Sequence, residues 1–152
     1  MTTITAERVN EMLNSKGLVL NKNGLYDPKR YFMYNSTQDE RVKFFENAAT
    51  ADPINIEKEA FKTMMKLIVL MVKPSQRKRE IHSYSGKHVI EKFLNENYIS
   101  NGEFIMAMMM HGFRWHHDSG TANVEFFGQW RITDYIIRQD WRQGNNSDMP
   151  RF

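Results

Sequence analysis

The sequence predicts an α+β fold, a mostly helical single domain with five to six helices and two short β-hairpins. Capping side chains precede amphipathic stretches at several points, which is the pattern of helix starts. Two other stretches carry apolar residues on either side of a Gly-containing turn, which is typical of hairpins. A chain of 152 residues fits one domain. We assign residues 1–143 to that domain and expect 144–152 to be a mobile polar tail.

The first helix is predicted to begin after Thr5, which acts as its N-cap. Ile4 and Val9 are placed to form a hydrophobic staple across this start, and Gly17 provides a left-handed stop. The next residues, "GLVLNKNGLYD", predict a hairpin whose turn ends at Gly24, where a positive φ is needed.

Two more helices are predicted in the middle of the chain. Ser36 or Thr37 caps the first of them. Asp52-Pro53 is a strong start signal for the second helix. The first N–H groups of a helix have no partner within it, so the missing N–H of proline costs nothing at that position. This helix is expected to run to about Val72 and to bury residues 55–72 as a central element. Its apolar run "LIVLMV" would suit a strand equally well when taken alone.

Residues 86–111 predict a pair of helices of the size of a helix–turn–helix unit. Ser85 is expected to cap the first helix, and Ser100 with Glu103 forms a capping box for the second. A groove-reading helix needs exposed Arg, Lys, Asn or Gln, whereas "EFIMAMMMH" is apolar in almost every direction. The pattern therefore favours a core hairpin of helices over DNA reading.

The methionines of this second helix have two interpretations. Methionine fills irregular gaps in a core, and it is also common on surfaces that accept partner proteins. The core interpretation is favoured, and Met106, Met109 and Met110 are the residues that would form a protein interface in the alternative.

After Gly112, the segment "FRWHHDSGTANVEFF" predicts the second hairpin. Residues 130–142 suit either a helix or a strand, and we favour a helix that starts at Thr133.

All five histidines lie between residues 81 and 117, but their spacing matches no zinc motif. A cluster of His88, His111 and His117 with Asp118 or Glu125 stays open as a product of the fold. A His-based metal-dependent enzyme is therefore an alternative, although no residue is assigned as a metal ligand and no cofactor is expected.

Signatures of other chemistry are absent from the sequence. No phosphate-binding glycine loop, dinucleotide fingerprint or nucleophile elbow occurs, and the lack of cysteine excludes disulfides and thiol catalysis. We assign no catalytic residue and favour a protein that is not an enzyme. Its longest apolar run has six residues and its N-terminus does not look like a secretory signal, so we expect a soluble cytoplasmic protein without a membrane partner.

Positive charge is concentrated in one stretch. Residues 73–92 carry six Lys or Arg and two Glu, whereas the other 132 residues have a formal net charge of −1. Such a local excess is typical of a phosphate-binding surface. The leading hypothesis is a non-enzymatic accessory protein that binds nucleic acid through this stretch. The residues expected to contact nucleic acid are Arg77, Lys78, Arg79, Lys87 and Lys92, with Tyr84 and Trp115 as stacking rings.

The alternative from another class is a protein-interaction or inhibitor module of the type found in viruses and mobile elements. It would use the methionine-rich helix to bind a protein partner or a second copy of the chain.

Overall fold

The computed structural model describes residues 3–94 and 98–131, which form an α+β arrangement as predicted. Its described helices are α1 (Ala6–Ser15), α2 (Gln38–Ala51), α3 (Glu59–Met71), α4 (Ser83–Glu91) and α5 (Asn101–Met110). Its described strands are β1 (Val19–Asn21), β2 (Gly24–Tyr26), β3 (Val72–Pro74), β4 (Ile81–His82), β5 (Trp115–His116), β6 (Glu125–Phe126) and β7 (Gly128–Trp130). The helix expected from Thr133 and the tail at 144–152 lie outside the described residues.

The centre of the core is α5, every residue of which is buried. Its predicted capping box is present: the Ser100 hydroxyl accepts from the Glu103 amide at 3.1 Å, and the Glu103 carboxylate accepts from the Ser100 amide at 2.8 Å. Lys58 Nζ lies 3.0 Å from the buried Glu103 carboxylate and compensates its charge. A buried helix of this kind cannot enter a DNA groove, so the prediction of a core hairpin of helices is confirmed.

The prediction for α3 was right about its end, since the helix stops at Met71 beside the expected Val72, but wrong about its start and about the burial of its last turns. The helix begins at Glu59 instead of Asp52-Pro53, because Asp52 ends α2 and its carboxylate accepts a hydrogen bond from Lys22 Nζ at 2.8 Å. That hydrogen bond raises the pKa of Lys22. The last turns of α3 were expected to be buried all round, yet Val69 and Leu70 are 57% and 65% exposed. The buried central element is α5.

Helix α1 begins and ends as predicted. Thr5 is its N-cap, and the Thr5 hydroxyl accepts from the Arg8 amide at 3.2 Å. Gly17 follows the helix with a φ of 72°, a conformation that favours glycine.

The first predicted hairpin is also confirmed, since β1 and β2 pair antiparallel with Asn21 opposite Gly24. Its turn packs on the start of α5, where the Gly102 amide donates to the Lys22 carbonyl at 2.9 Å. Asn101 Nδ2 donates to the Asn23 carbonyl at 3.0 Å. The hairpin and the central helix are therefore fixed to each other by hydrogen bonds to two backbone carbonyls of the turn.

The second hairpin, β5–β6, is confirmed and gains a third strand, giving the order β4-β6-β5. Each strand presents one row of side chains to the core: Ile81 and Phe126 are fully buried, and Trp115 packs beside them. By strand alternation, the next row points outward. It contains His82, Glu125 and His116, which are paired across the sheet in that order.

A further strand pair, β3–β7, was not predicted. The chain leaves α3 directly into β3, and Val72 pairs with Trp130. Helix α4 also begins earlier than expected, at Ser83, whose hydroxyl accepts from the Val124 amide at 3.0 Å. Contacts with distant parts of the chain set both boundaries.

Candidate nucleic-acid interface

The residues between β3 and β4, 75–80, form a loop that we call the basic loop. Backbone hydrogen bonds attach it to residues 127 and 128: the Ser75 amide donates to the Phe127 carbonyl at 3.1 Å, and the Gly128 amide donates to the Lys78 carbonyl at 3.0 Å. The Ser75 hydroxyl also accepts from the Lys78 amide at 3.1 Å. The backbone of the loop is thus tied to the sheet, while the side chains of Arg77, Lys78 and Arg79 are exposed.

Two arginines from different parts of the chain meet at one aromatic ring. The guanidinium carbons of Arg114 and Arg79 lie 4.4 Å and 5.9 Å from the centroid of Phe127. Arg114 Nη1 also donates to the Gln76 carbonyl of the basic loop at 3.3 Å. These contacts hold cationic groups near one another although they are more than 30 residues apart. We call Arg77, Lys78, Arg79, Arg114 and Phe127 the basic-aromatic surface.

The carboxylates in the described part of the chain do not neutralise the positive charge of this surface. Within residues 3–94 and 98–131, no carboxylate forms an ion pair with any of its four cations. Glu80 is the one acidic residue of the basic loop, and it is exposed. The arrangement therefore presents unpaired guanidinium and ammonium groups to solvent, which is what a phosphate-rich partner requires.

Lys87, in contrast, does not have the predicted role. It is only 4% exposed, and its Nζ lies 3.2 Å from the Glu91 carboxylate. Two tyrosine rings also lie near this nitrogen. The centroid of Tyr84 is 5.3 Å from it and the centroid of Tyr98 is 5.0 Å from it. The ammonium group is used inside the protein, so it is not available to bind phosphate.

The other predicted contact residues are placed in different surroundings. Lys92 is partly buried at the end of α4, and Tyr84 is exposed but contacts Lys87 and His88. Trp115 is partly buried and packs against the core, so its ring is not a free stacking platform. Of the residues predicted to contact nucleic acid, Arg77, Lys78 and Arg79 therefore remain in the basic-aromatic surface.

Sequence reasoning did not single out Phe127. Adjacent residues of a strand point to opposite faces, so the pair Phe126-Phe127 required one ring to face outward. Phe126 is fully buried at the end of β6, whereas Phe127 lies in the bend between β6 and β7 and is partly exposed. Arg114 lies just before β5 and is exposed.

The methionine-rich helix does not form a surface. Met106, Met109 and Met110 are buried within α5, so the prediction that they line a protein interface loses its physical basis. They belong to the core, as the favoured interpretation stated.

The histidines do not converge in the predicted combination. The buried His111 has its Nε2 2.8 Å from the Met65 carbonyl, and His117 Nε2 lies 2.7 Å from the Thr121 carbonyl. His88 Nδ1 lies 3.0 Å from the Glu91 carboxylate. Each of these three is held in a separate local contact. A different group forms instead: ligand atoms of His116, Asp118 and Glu125 lie within 4.8 Å of one another, and His82 Nδ1 lies 3.7 Å from the Glu125 carboxylate.

Comparison with protein-family models, curated proteins and solved structures gives no match to this chain. Within residues 3–94 and 98–131, no helix has the length and apolar character needed to cross a lipid bilayer.

Proposed function

We propose that this protein is a nucleic-acid-binding accessory protein whose basic-aromatic surface contacts the phosphate backbone. The observation that supports the proposal most strongly is the meeting of Arg79 and Arg114 at Phe127, next to the exposed Arg77 and Lys78. Guanidinium groups donate to phosphate oxygens in a fixed fork geometry, and a neighbouring ring limits their motion before binding.

The number of phosphate contacts determines how strongly the binding constant depends on salt concentration. Each cation that neutralises a phosphate on duplex DNA changes the slope of log K against log salt by about 0.9, and on single strands by about 0.7. Four contacts would give slopes of about −3.6 and −2.8, respectively. The two slopes also distinguish the two forms of nucleic acid as partners.

The test is a binding titration of labelled oligonucleotides by fluorescence anisotropy between about 50 and 200 mM salt. The variant Arg77→Ala/Lys78→Ala/Arg79→Ala is expected to reduce the duplex slope by about 2.7 and to weaken binding at the lowest salt concentration.

A matched control separates a local surface from general charge. Lys29→Ala/Arg30→Ala/Lys43→Ala removes three exposed cations from another part of the chain and also reduces the formal net charge from +3 to zero. The control is expected to keep most of the wild-type slope. Equal losses in both variants, or an unchanged slope in the first, would refute the proposal.

A further inference from the structure

We infer that the outward row of the β4-β6-β5 sheet, together with Asp118, is a binding site for one divalent transition-metal ion of the zinc class. The site contains His82, His116, Asp118 and Glu125. It is distinct from the phosphate contacts proposed above and does not depend on them.

The sheet register brings three of these residues together. His82 on β4 and His116 on β5 both pair with Glu125 on the middle strand. Cross-strand neighbours on one face have Cβ atoms about 5 Å apart, which allows their side chains to reach a common point. Asp118 follows β5 by two residues and adds a second carboxylate.

The distances between possible ligand atoms are close to those of a metal site. One ligand atom from each of His116, Asp118 and Glu125 lies within 4.8 Å of the other two. His116 Nε2 is 2.9 Å from Asp118 Oδ1, and His82 Nδ1 is 3.7 Å from Glu125 Oε2. Ligand atoms around tetrahedral zinc lie about 3.4 Å apart, given bonds of about 2.1 Å. His82 is not one of these three and approaches Glu125 from the opposite side of β6, so its side chain has to rotate toward the ion before it can act as the fourth ligand.

The donor set indicates which ions fit. Two imidazoles and two carboxylates suit Zn²⁺, Co²⁺ and Ni²⁺, whereas Mg²⁺ and Ca²⁺ prefer oxygen ligands. The side chains of all four residues are partly or largely exposed, so an ion can reach them from solvent. This exposure also implies weaker binding than in a closed structural zinc site, with a dissociation constant in the micromolar range.

The experiment is a titration of the chelator-treated full chain with CoCl₂, followed by visible absorption, and with ZnCl₂, followed by calorimetry. The wild type is expected to bind one ion per chain, with the visible bands that four-coordinate cobalt gives. Loss of an outer-shell partner alone reduces metal affinity about 10–100-fold, so His116→Ala is expected to weaken binding by about 100-fold or more.

Two further variants keep the test decisive. Asp118→Asn alters an exposed residue, 72% accessible at its side chain, and serves if His116→Ala does not fold. His88→Ala removes an exposed histidine outside the cluster and should bind metal as the wild type does. Absence of saturable 1:1 binding in the wild type, or equal affinity in His116→Ala, Asp118→Asn and the wild type, would overturn the inference.

Discussion

Lys87→Ala is expected to destabilise the fold and to leave nucleic-acid binding unchanged. Lys87 lies in the most basic stretch of the sequence, yet its ammonium group is buried between Glu91 and two tyrosine rings. Removal of one partner from a buried ion pair costs about 3–5 kcal/mol. Glu91 would retain the Ile99 amide at 3.3 Å and His88 at 3.0 Å, so we expect the lower end, about 3 kcal/mol.

The assay is urea unfolding followed by circular dichroism. With a slope of about 2 kcal/mol per molar urea, the midpoint should fall by about 1.5 M. Lys66→Ala is the control, because it removes the same charge from an exposed position on α3 and should change the free energy of unfolding by less than about 0.5 kcal/mol. A stable Lys87→Ala protein with a reduced salt slope would show that Lys87 contacts phosphate after all.

Three further changes give separable results. Gly102→Ala should cost about 3 kcal/mol in urea unfolding, because the new Cβ would overlap the Asn21 carbonyl, whereas Gly120→Ala, with no atom within 4 Å, should be neutral. Equal stability of both variants would contradict the contact between the hairpin and α5. Phe127→Ala should weaken oligonucleotide binding about two- to fivefold without changing the salt slope, because the number of cations stays the same. A changed slope in anisotropy titrations would refute that reasoning. Saturating Zn²⁺ should strengthen binding about threefold, because its ligand His116 follows Arg114 by two residues, about 7 Å along an extended backbone, so the added charge is within one Debye length of the surface. An unchanged affinity would show that the metal site and the surface are not electrostatically coupled.

Local signals in the sequence were sufficient where a single turn decides the structure. Thr5 and Ser100 cap the helices that they were predicted to cap, and the turn before Gly24 forms the expected hairpin. These features depend on hydrogen bonds between residues that are at most a few positions apart.

The same kind of signal failed where a distant partner competes for a side chain. Asp52 has the sequence context of an N-cap, but its carboxylate binds Lys22, 30 residues away. Lys87 has the context of a surface cation, but it is buried, with its ammonium group near the ring of Tyr98 from the segment before α5. Lys22 and Tyr98 are too far along the sequence from Asp52 and Lys87 to be identified as their partners from neighbouring residues.

The candidate sites show the same limit. The spacing of the histidines along the chain gave no metal motif, because His82 and His116 are placed on either side of Glu125 only through the pairing of their strands with β6. The ring of Phe127 could have been noted as outward-facing from strand alternation. Its contacts with Arg79 and Arg114 could not, because they depend on how the basic loop attaches to residues 127 and 128.

The most direct measurement is the salt dependence of wild-type binding to a labelled DNA duplex. We predict a log–log slope of about −3.6, which corresponds to one phosphate for each of Arg77, Lys78, Arg79 and Arg114. Failure to bind, or a slope between about 0 and −1, would contradict the claim that these four cations act together on a phosphate backbone.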